Sequence, residues 1–181
     1  DQGADVLAIL DQALIAAMDE VGRKFSAGVF FVPEMLMAAE AMHAGLEVLG
    51  PHLARSDIKA KGTIVIGTVK GDNHDIGKNL VATMLECAGY RVIDLGVNVS
   101  KGKFLAAAKK YQADIVAISA LLTTTMAEME AVVAEVRAKG GSSLKTLVGG
   151  APVTASFADK IGADGYSPDA AGAVSMARSL V

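Results

Sequence analysis

From Thr63 onward the chain alternates between short β-branched runs and stretches with helical spacing. The runs are TIVIGTV (63–69), YRVIDLG (90–96), DIVAISALL (114–122) and LKTLVGG (144–150), with a weaker fifth at DGYS (164–167). GKNLVATMLECAG, KGKFLAAAKKYQ, TTMAEMEAVVAEVRAKG and PVTASFADKIG separate them, and a closing helix is expected over 168–180. Strands that are apolar along their whole length are buried on both faces, and strand–helix alternation makes their sheet parallel. The expectation is a five-stranded parallel sheet covered by helices on both sides.

Residues before 60 follow a different rule. ADVLAILDQALIAAMDEVGRKF carries apolar residues at 6, 9, 10, 14, 17, 18, 21 and 25, close to a 3.6-residue period. Gly28 breaks the pattern, and Pro33 suits the first turn of a second helix, PEMLMAAEAMHAGLEVL, expected to end near Gly50-Pro51. Two amphipathic helices cannot bury their apolar faces alone, so they must pack on something else. The charged segment ARSDIKAKG (54–62) reads as a linker. The expected organisation is a helical-bundle cap over 1–56, followed by a doubly wound, Rossmann- or flavodoxin-like α/β domain over 60–181.

Composition excludes function classes more than it selects one. Hydrophobic residues make up 52% of the 181, enough for a substantial core, and the net charge is -3. That balance gives no electrostatic reason to expect nucleic acid or an anionic membrane surface. No apolar run is long enough to span a bilayer, and no signal peptide is seen. The single cysteine, Cys87, cannot form an internal disulfide and sits amid Leu85 and Ala88 as a small apolar residue. The reading is a cytoplasmic globular protein.

In an open α/β sheet a ligand sits outside the carboxyl ends of the strands. Three polar loops fall there: KGDNHDIG after the first strand, SALLTTT after the third and GGAP after the fourth. Each has an ordinary explanation when taken singly. His74 can be a solvated turn histidine, Asp72 or Asp75 a helix cap, Thr123 and Thr124 further caps, and Gly149-Gly150 a tight turn. The nucleotide loops do not fit, because Asn79 follows Lys78 where a P-loop has Ser or Thr, and GxGxxG is missing. Zinc lacks partners, with no Cys or second His at ligand spacing from His74. What remains is one histidine beside carboxylates. A carboxylate that accepts one imidazole N–H fixes the tautomer and leaves the other nitrogen for a metal already held in a macrocycle.

Asp72-x-His74-x-x-Gly77, Ser119-x-Leu121 and Gly149-Gly150 together resemble the cobalamin-binding signature DxHxxG…SxL…GG. VGRKFSAGVFFVPEMLMAAEAM (21–42) is similar to the helical cap of methyl-transferring corrinoid proteins and of the methionine synthase cobalamin module. The resemblance implies that His74 displaces the cofactor's dimethylbenzimidazole and binds cobalt from the lower face. Asp72 would hydrogen-bond that histidine, and Thr125, where methionine synthase has a serine, would complete a proton relay. Ser119 would hydrogen-bond the displaced base, with Thr123 lining its channel. Gly77, Gly149, Gly150 and Ala151 would make room for the nucleotide tail. Asp75, Ile76 and Leu121, which lie within the motifs, count as further contacts. Phe25 and Val32 match the two positions that shield the methyl-bearing face, the second being leucine in methionine synthase. Phe30, Phe31, Met35, Met37 and Met42 are expected in the core, and His43 and His52 at the surface or in packing. Lys78 and Asn79 are left without a role.

The resemblance implies a non-catalytic carrier, with no nucleophile or substrate pocket of its own. A substrate-specific methyltransferase, acting on methanol, a methylamine, a methoxylated aromatic or a betaine, would methylate cob(I)alamin. A second methyltransferase would pass the group from methylcob(III)alamin to tetrahydrofolate or a thiol, and a reductive activator is a further expected partner. The competing readings are a cobalamin-binding fragment of methionine synthase and a cobalamin-sensing regulatory module. Caps of this kind usually carry a further helix. Two long helices, and a start at Asp1 without methionine, lead to the expectation of a trimmed N-terminus or a cap completed by a second chain in a homodimer.

Overall fold

The computed structural model describes residues 5–53 and 60–181. The expected linker therefore falls mostly on residues outside the described ones. Strands β1 (Thr63–Thr68), β2 (Arg91–Asp94), β3 (Ile115–Ser119), β4 (Lys145–Gly149) and β5 (Gly165–Tyr166) form one sheet in the order β2-β1-β3-β4-β5. Every pairing is parallel. The order reverses between β1 and β3, which is where doubly wound sheets open a crevice for ligands.

Within the strands, alternate residues feed opposite faces, as a period of two requires. Ile64, Ile66, Ile115, Ala117 and Leu147 join one apolar cluster. Val65, Val116, Ile118 and Val148 join the other. Helices α5 (Lys101–Tyr111), α6 (Met126–Lys139) and α7 (Ala155–Ile161) cover the second face, centred on the fully buried Phe104, Met129 and Val133. Helices α4 (Ile76–Cys87) and α8 (Ala170–Leu180) cover the first. Burying side chains such as Leu85 or Ile64 stabilises by roughly 2–3 kcal/mol each.

The N-terminal helices complete that first face. α1 (Val6–Ala8) runs without a break through a π-helical stretch (Ile9–Ile15) into α2 (Ala16–Ser26), and α3 (Val32–Leu53) returns alongside. Ile15, Met18, Met35, Ala39 and Met42 pack with Met84, Leu85 and Ala173 in one continuous cluster. The two-helix cap thus buries its apolar faces on α4 and α8 of its own chain. Arg178 of α8 and Asp19 of α2 add an ion pair of 2.6 Å across this contact.

Two expectations need correction here. α3 does not end at Gly50-Pro51 but continues to Leu53. Proline already has helical φ, and its missing N–H forfeits only one backbone bond near the end. Phe31 and Met37 are not core residues, being 65% and 73% exposed. Met35, Ala39 and Met42 follow the i, i+4, i+7 spacing of one helix face, whereas Met37, two positions on from Met35, points away. Phe31 precedes the helix. His43 is exposed, and Cys87 is fully buried, its thiol pushed up to about 11 by desolvation with help from the neighbouring Glu86 carboxylate.

Candidate functional site

β3 stops at Ser119, three residues earlier than its apolar run, and the reason lies in the loop after β1. The backbone turns at Ala120 so that the N–H groups of Leu121 and Leu122 donate to Asp72 Oδ2 at 2.8 and 3.2 Å. Thr125 Oγ1 donates to the same oxygen at 3.0 Å. On the other side, Asp72 Oδ1 accepts from the His74 backbone N–H at 3.1 Å and lies 2.7 Å from His74 Nδ1. One fully buried carboxylate therefore faces five donors contributed by two strand ends.

The electrostatics follow from that count. Burial by itself pushes the Asp72 carboxyl upward, as it would any carboxylate taken out of water. The Leu121 N–H, the His74 ring, the His74 N–H and the Thr125 hydroxyl more than offset this and hold it well below the usual carboxylate range. An ionised Asp72 accepts from a proton-bearing Nδ1, so in the neutral ring the lone pair lies on Nε2. The His74 side chain is half exposed and lines a cavity.

The loop carrying this pair is tied down on several sides. Thr68, fully buried at the end of β1, donates its hydroxyl to the His74 carbonyl at 2.8 Å. Asn98 accepts from Gly71 N–H at 2.8 Å and donates its own N–H to the Asp72 carbonyl at 3.0 Å. A bridge between Val69 and Val99 continues the sheet one step beyond β1. His74 thus has a partner at each backbone group and at Nδ1.

The cavity beside it measures about 550 Å³ and opens at the carboxyl ends of β1, β3, β4 and β5. Of the residues singled out from the sequence, Phe25, His74, Asp75, Ile76, Gly77, Ser119, Leu121, Gly149, Gly150 and Ala151 line it. Asp72 and Thr125 stand behind the wall, and Asp72 meets it through His74 and the Leu121 N–H. Thr123 is exposed, in the 3-10 turn Thr123–Thr125, and Val32 starts α3 away from the cavity, 41% exposed. Phe25 both lines the cavity and packs against the core shared by cap and sheet.

The ordinary explanations of these residues fare unevenly. Asp75 stands at the N-cap of α4 but makes no capping bond, and Thr125 stands at the N-cap of α6 with its hydroxyl turned to Asp72 and to the Leu122 carbonyl, 2.8 Å away. Neither Thr123 nor Thr124 caps α6. Gly150, by contrast, is glycine for the fold itself: its φ is +132°, and a Cβ there would collide with the Ala120 carbonyl oxygen. Gly77 lies in ordinary helix, and a Cβ there would meet nothing but open space.

Part of the wall escaped the sequence reading. Ser167, Pro168 and Asp169, after β5, close the side next to Gly149, and Asn73, Lys78, Leu80 and Val81 extend the α4 side. The SPD turn after the fifth run carried a usable signal, being a polar loop on the same sheet edge as the other three. Lys78 carried none, because a lysine in a first helical turn reads as solvated.

A large corrinoid fits this arrangement. The cavity is mostly apolar, open space stands at Gly77, and the Ser119 hydroxyl, half-buried on the wall, takes no protein partner among the described residues. Among the described residues no group of three or more His, Cys, Asp or Glu could hold a bare metal ion. His74 is a single donor, suited to a metal that brings its other ligands with it.

Comparison with known proteins gives the same answer. Two profiles, each described as a B12 binding domain, match residues 62–175 and 1–49. Trimethylamine corrinoid protein 1 of Methanosarcina mazei is 45% identical over 99% of this chain and 84% of its own length. A cobalamin-binding protein from Desulfitobacterium hafniense superposes with a TM-score of 0.85 at 33% identity, over 97% of this chain and 83% of that one. The methanol:cobalamin methyltransferase complex MtaBC of Methanosarcina barkeri matches with a TM-score of 0.83 at 34% identity, covering 97% of this chain and 67% of the matched one. With a buried Asp72 aiming the free nitrogen of His74 into a glycine-edged apolar cavity, and a helical cap over it, the chain belongs to the B12-binding corrinoid proteins that accompany methyltransferases.

Proposed function

We propose that this chain is a corrinoid methyl carrier: it holds cobalamin between the sheet edge and the helical cap, and offers it to a methyltransferase partner. The observation that carries the reading is the relay Thr125–Asp72–His74, which ends on a lone pair at the cavity wall. When bound, the corrinoid supplies a cobalt centre able to accept and release a methyl group.

The chain's own residues do the rest. His74 Nε2 would be the lower ligand, held in register by Thr68 and Asp72. Asp72, kept ionised by its donors, retains the Nδ1 proton and makes the ring a stronger donor. A proton arriving at Nε2 would remove the lone pair, and the resulting imidazolium would be paired at once with Asp72. Thr125 has one hydroxyl hydrogen and two acceptors within reach, Asp72 and Leu122, so it can strengthen or relax its hold on the carboxylate. Ser119, Leu121, Gly77, Gly149, Gly150, Ala151, Asp75 and Ile76 would wall the lower face and tail. Phe25 would screen the upper face from water. Thr123 and Val32, which stand off the cavity, have the weakest geometric support for contact.

Relatives named for trimethylamine and dimethylamine favour a methylamine as the ultimate methyl source, with methanol next because of the MtaBC likeness. An acceptor methyltransferase, a reductive activator, a homodimer and a cytoplasmic setting belong to the same proposal, as does the division into a cap over 1–56 and a cofactor domain over 60–181. Among the described residues, no helix is long and apolar enough to cross a membrane.

The test is reconstitution with cobalamin. The wild-type chain should give a base-off, histidine-on absorption spectrum, and His74→Ala should lose the histidine-on character while still taking up the corrinoid. An unchanged spectrum in His74→Ala would sink the ligand assignment.

A further inference from the structure

Lys78 is buried at the first turn of α4, its side chain 1% exposed, and nothing in the relay above uses it. Its Nζ lies 2.5 Å from Asp94 Oδ2 at the end of β2 and 2.6 Å from Asn79 Oδ1. Two physical arguments make a lysine here costly. With Asp75 as N-cap, Lys78 occupies N3, where the helix dipole and the unpaired N–H groups favour an acidic residue. Burial of an ammonium adds a desolvation penalty that an apolar side chain of the same length would not incur.

The gain has to lie in placement. α4 starts without a side-chain cap, so no bond of that kind fixes where its first turn begins. That turn carries Ile76 and Gly77 on the cavity wall, two and three residues after His74. Thr68 and Asn98 hold the near half of the loop, from Gly71 to His74, against β1 and the segment after β2. The far half is held by the ion pair. Asp94 is itself fixed, its Oδ1 accepting from Gly96 N–H at 2.8 Å.

We propose that Lys78 is a positioning residue for the cofactor arm: clamped to Asp94, it anchors the uncapped start of α4 and so sets the turn through which His74 presents its imidazole. The inference rests on the reading of His74 as the corrinoid ligand. It assigns the work of a missing helix cap to an ion pair between helix α4 and strand β2.

The test uses the full chain and the variants Lys78→Met and Asp94→Asn. The second keeps an oxygen for Gly96 and alters a half-exposed residue, so it stands even if Lys78→Met fails to fold. Imidazole 15N shifts of the apoprotein, with the His74 signal identified by its loss in His74→Ala, report the tautomer. The wild type should show a single Nδ1–H form. Each folded variant should show a mixture of both forms and bind hydroxocobalamin about tenfold or more weakly, as removal of outer-shell partners does elsewhere. Lys78→Arg, which keeps the charge, should recover part of both losses. A wild-type tautomer in Asp94→Asn and in any folded Lys78→Met would overturn the proposal, even if those variants melt earlier. Failure of the wild-type chain to take up hydroxocobalamin would instead remove the cofactor reading, leaving the tautomer result to stand by itself.

Discussion

Thr125 and Asp72 are separated by 53 residues and two crossovers, yet the Thr125 hydroxyl reaches the Asp72 carboxylate at 3.0 Å. The contact is buried and ends the chain of donors that keeps Asp72 ionised beneath His74. Thr125→Val keeps the shape and removes the donor. It should cost about 2 kcal/mol in urea unfolding of the apoprotein, as loss of a buried bond to a charged group does. Thr125→Ser should stay within about 1 kcal/mol of wild type.

Asp72→Asn places an amide among five donors. The N–H groups of Leu121 and Leu122 and the ring of His74 cannot all be satisfied by one carbonyl oxygen. The expected loss is about 3 kcal/mol or more, read from the same unfolding curves.

Acid should act on the same residue with a defined sign. The Asp72 carboxyl is lowered on folding, so its contribution is complete above its ordinary, unfolded value and is lost as pH falls toward the lower folded value. Unfolding free energy measured between pH 6 and pH 2 should therefore drop below the ordinary carboxylate range, and Asp72→Asn should flatten that part of the curve. An equally steep wild-type and variant profile would assign the acid sensitivity elsewhere.

Two glycines give opposite expectations. Gly150→Ala forces a side chain into a left-handed backbone and against the Ala120 carbonyl, and should destabilise the apoprotein by roughly 2 kcal/mol or more. Gly77→Ala replaces glycine in an open helical turn and should stabilise the apoprotein by up to about 1 kcal/mol. If the wall beside Gly77 receives the corrinoid, that same variant should bind hydroxocobalamin more weakly. Thermal melting with an absorbance titration separates the two.

Phe25→Ala should loosen the cap. The ring is only half-buried, so the cost should be about 2 kcal/mol, below that of a fully buried phenylalanine. Bound methylcobalamin should photolyse faster in the variant. Unchanged photolysis would leave Phe25 as packing alone.

The periodicities of the chain disclosed the strands, the helices and the three loops because burial on two faces writes itself into apolar runs. Asp72, His74 and the glycines were legible for a different reason, their spacing in a signature. What stayed hidden depends on distant geometry. The end of β3 at Ser119 is set by Asp72, so no local pattern in DIVAISALL could show it. Lys78 looks solvated until β2 brings Asp94 beside it. The π-helical stretch over Ile9–Ile15 disturbs an apolar spacing that fitted an α-helix well. Met37, apolar yet exposed on α3, shows that composition alone does not assign a side of a helix, and Phe31, also exposed, lies just before it.

The cap does not rest on the sheet as a separate lid, since Ile15, Met18 and Met42 share one cluster with Ile64, Ile115 and Leu85. A partner that displaces the cap must expose that apolar surface to water. The displacement then carries a positive heat-capacity change and grows easier as temperature falls, because apolar burial weakens on cooling. Any access gained by moving the cap is thus coupled to temperature by the same side chains that hold the protein together.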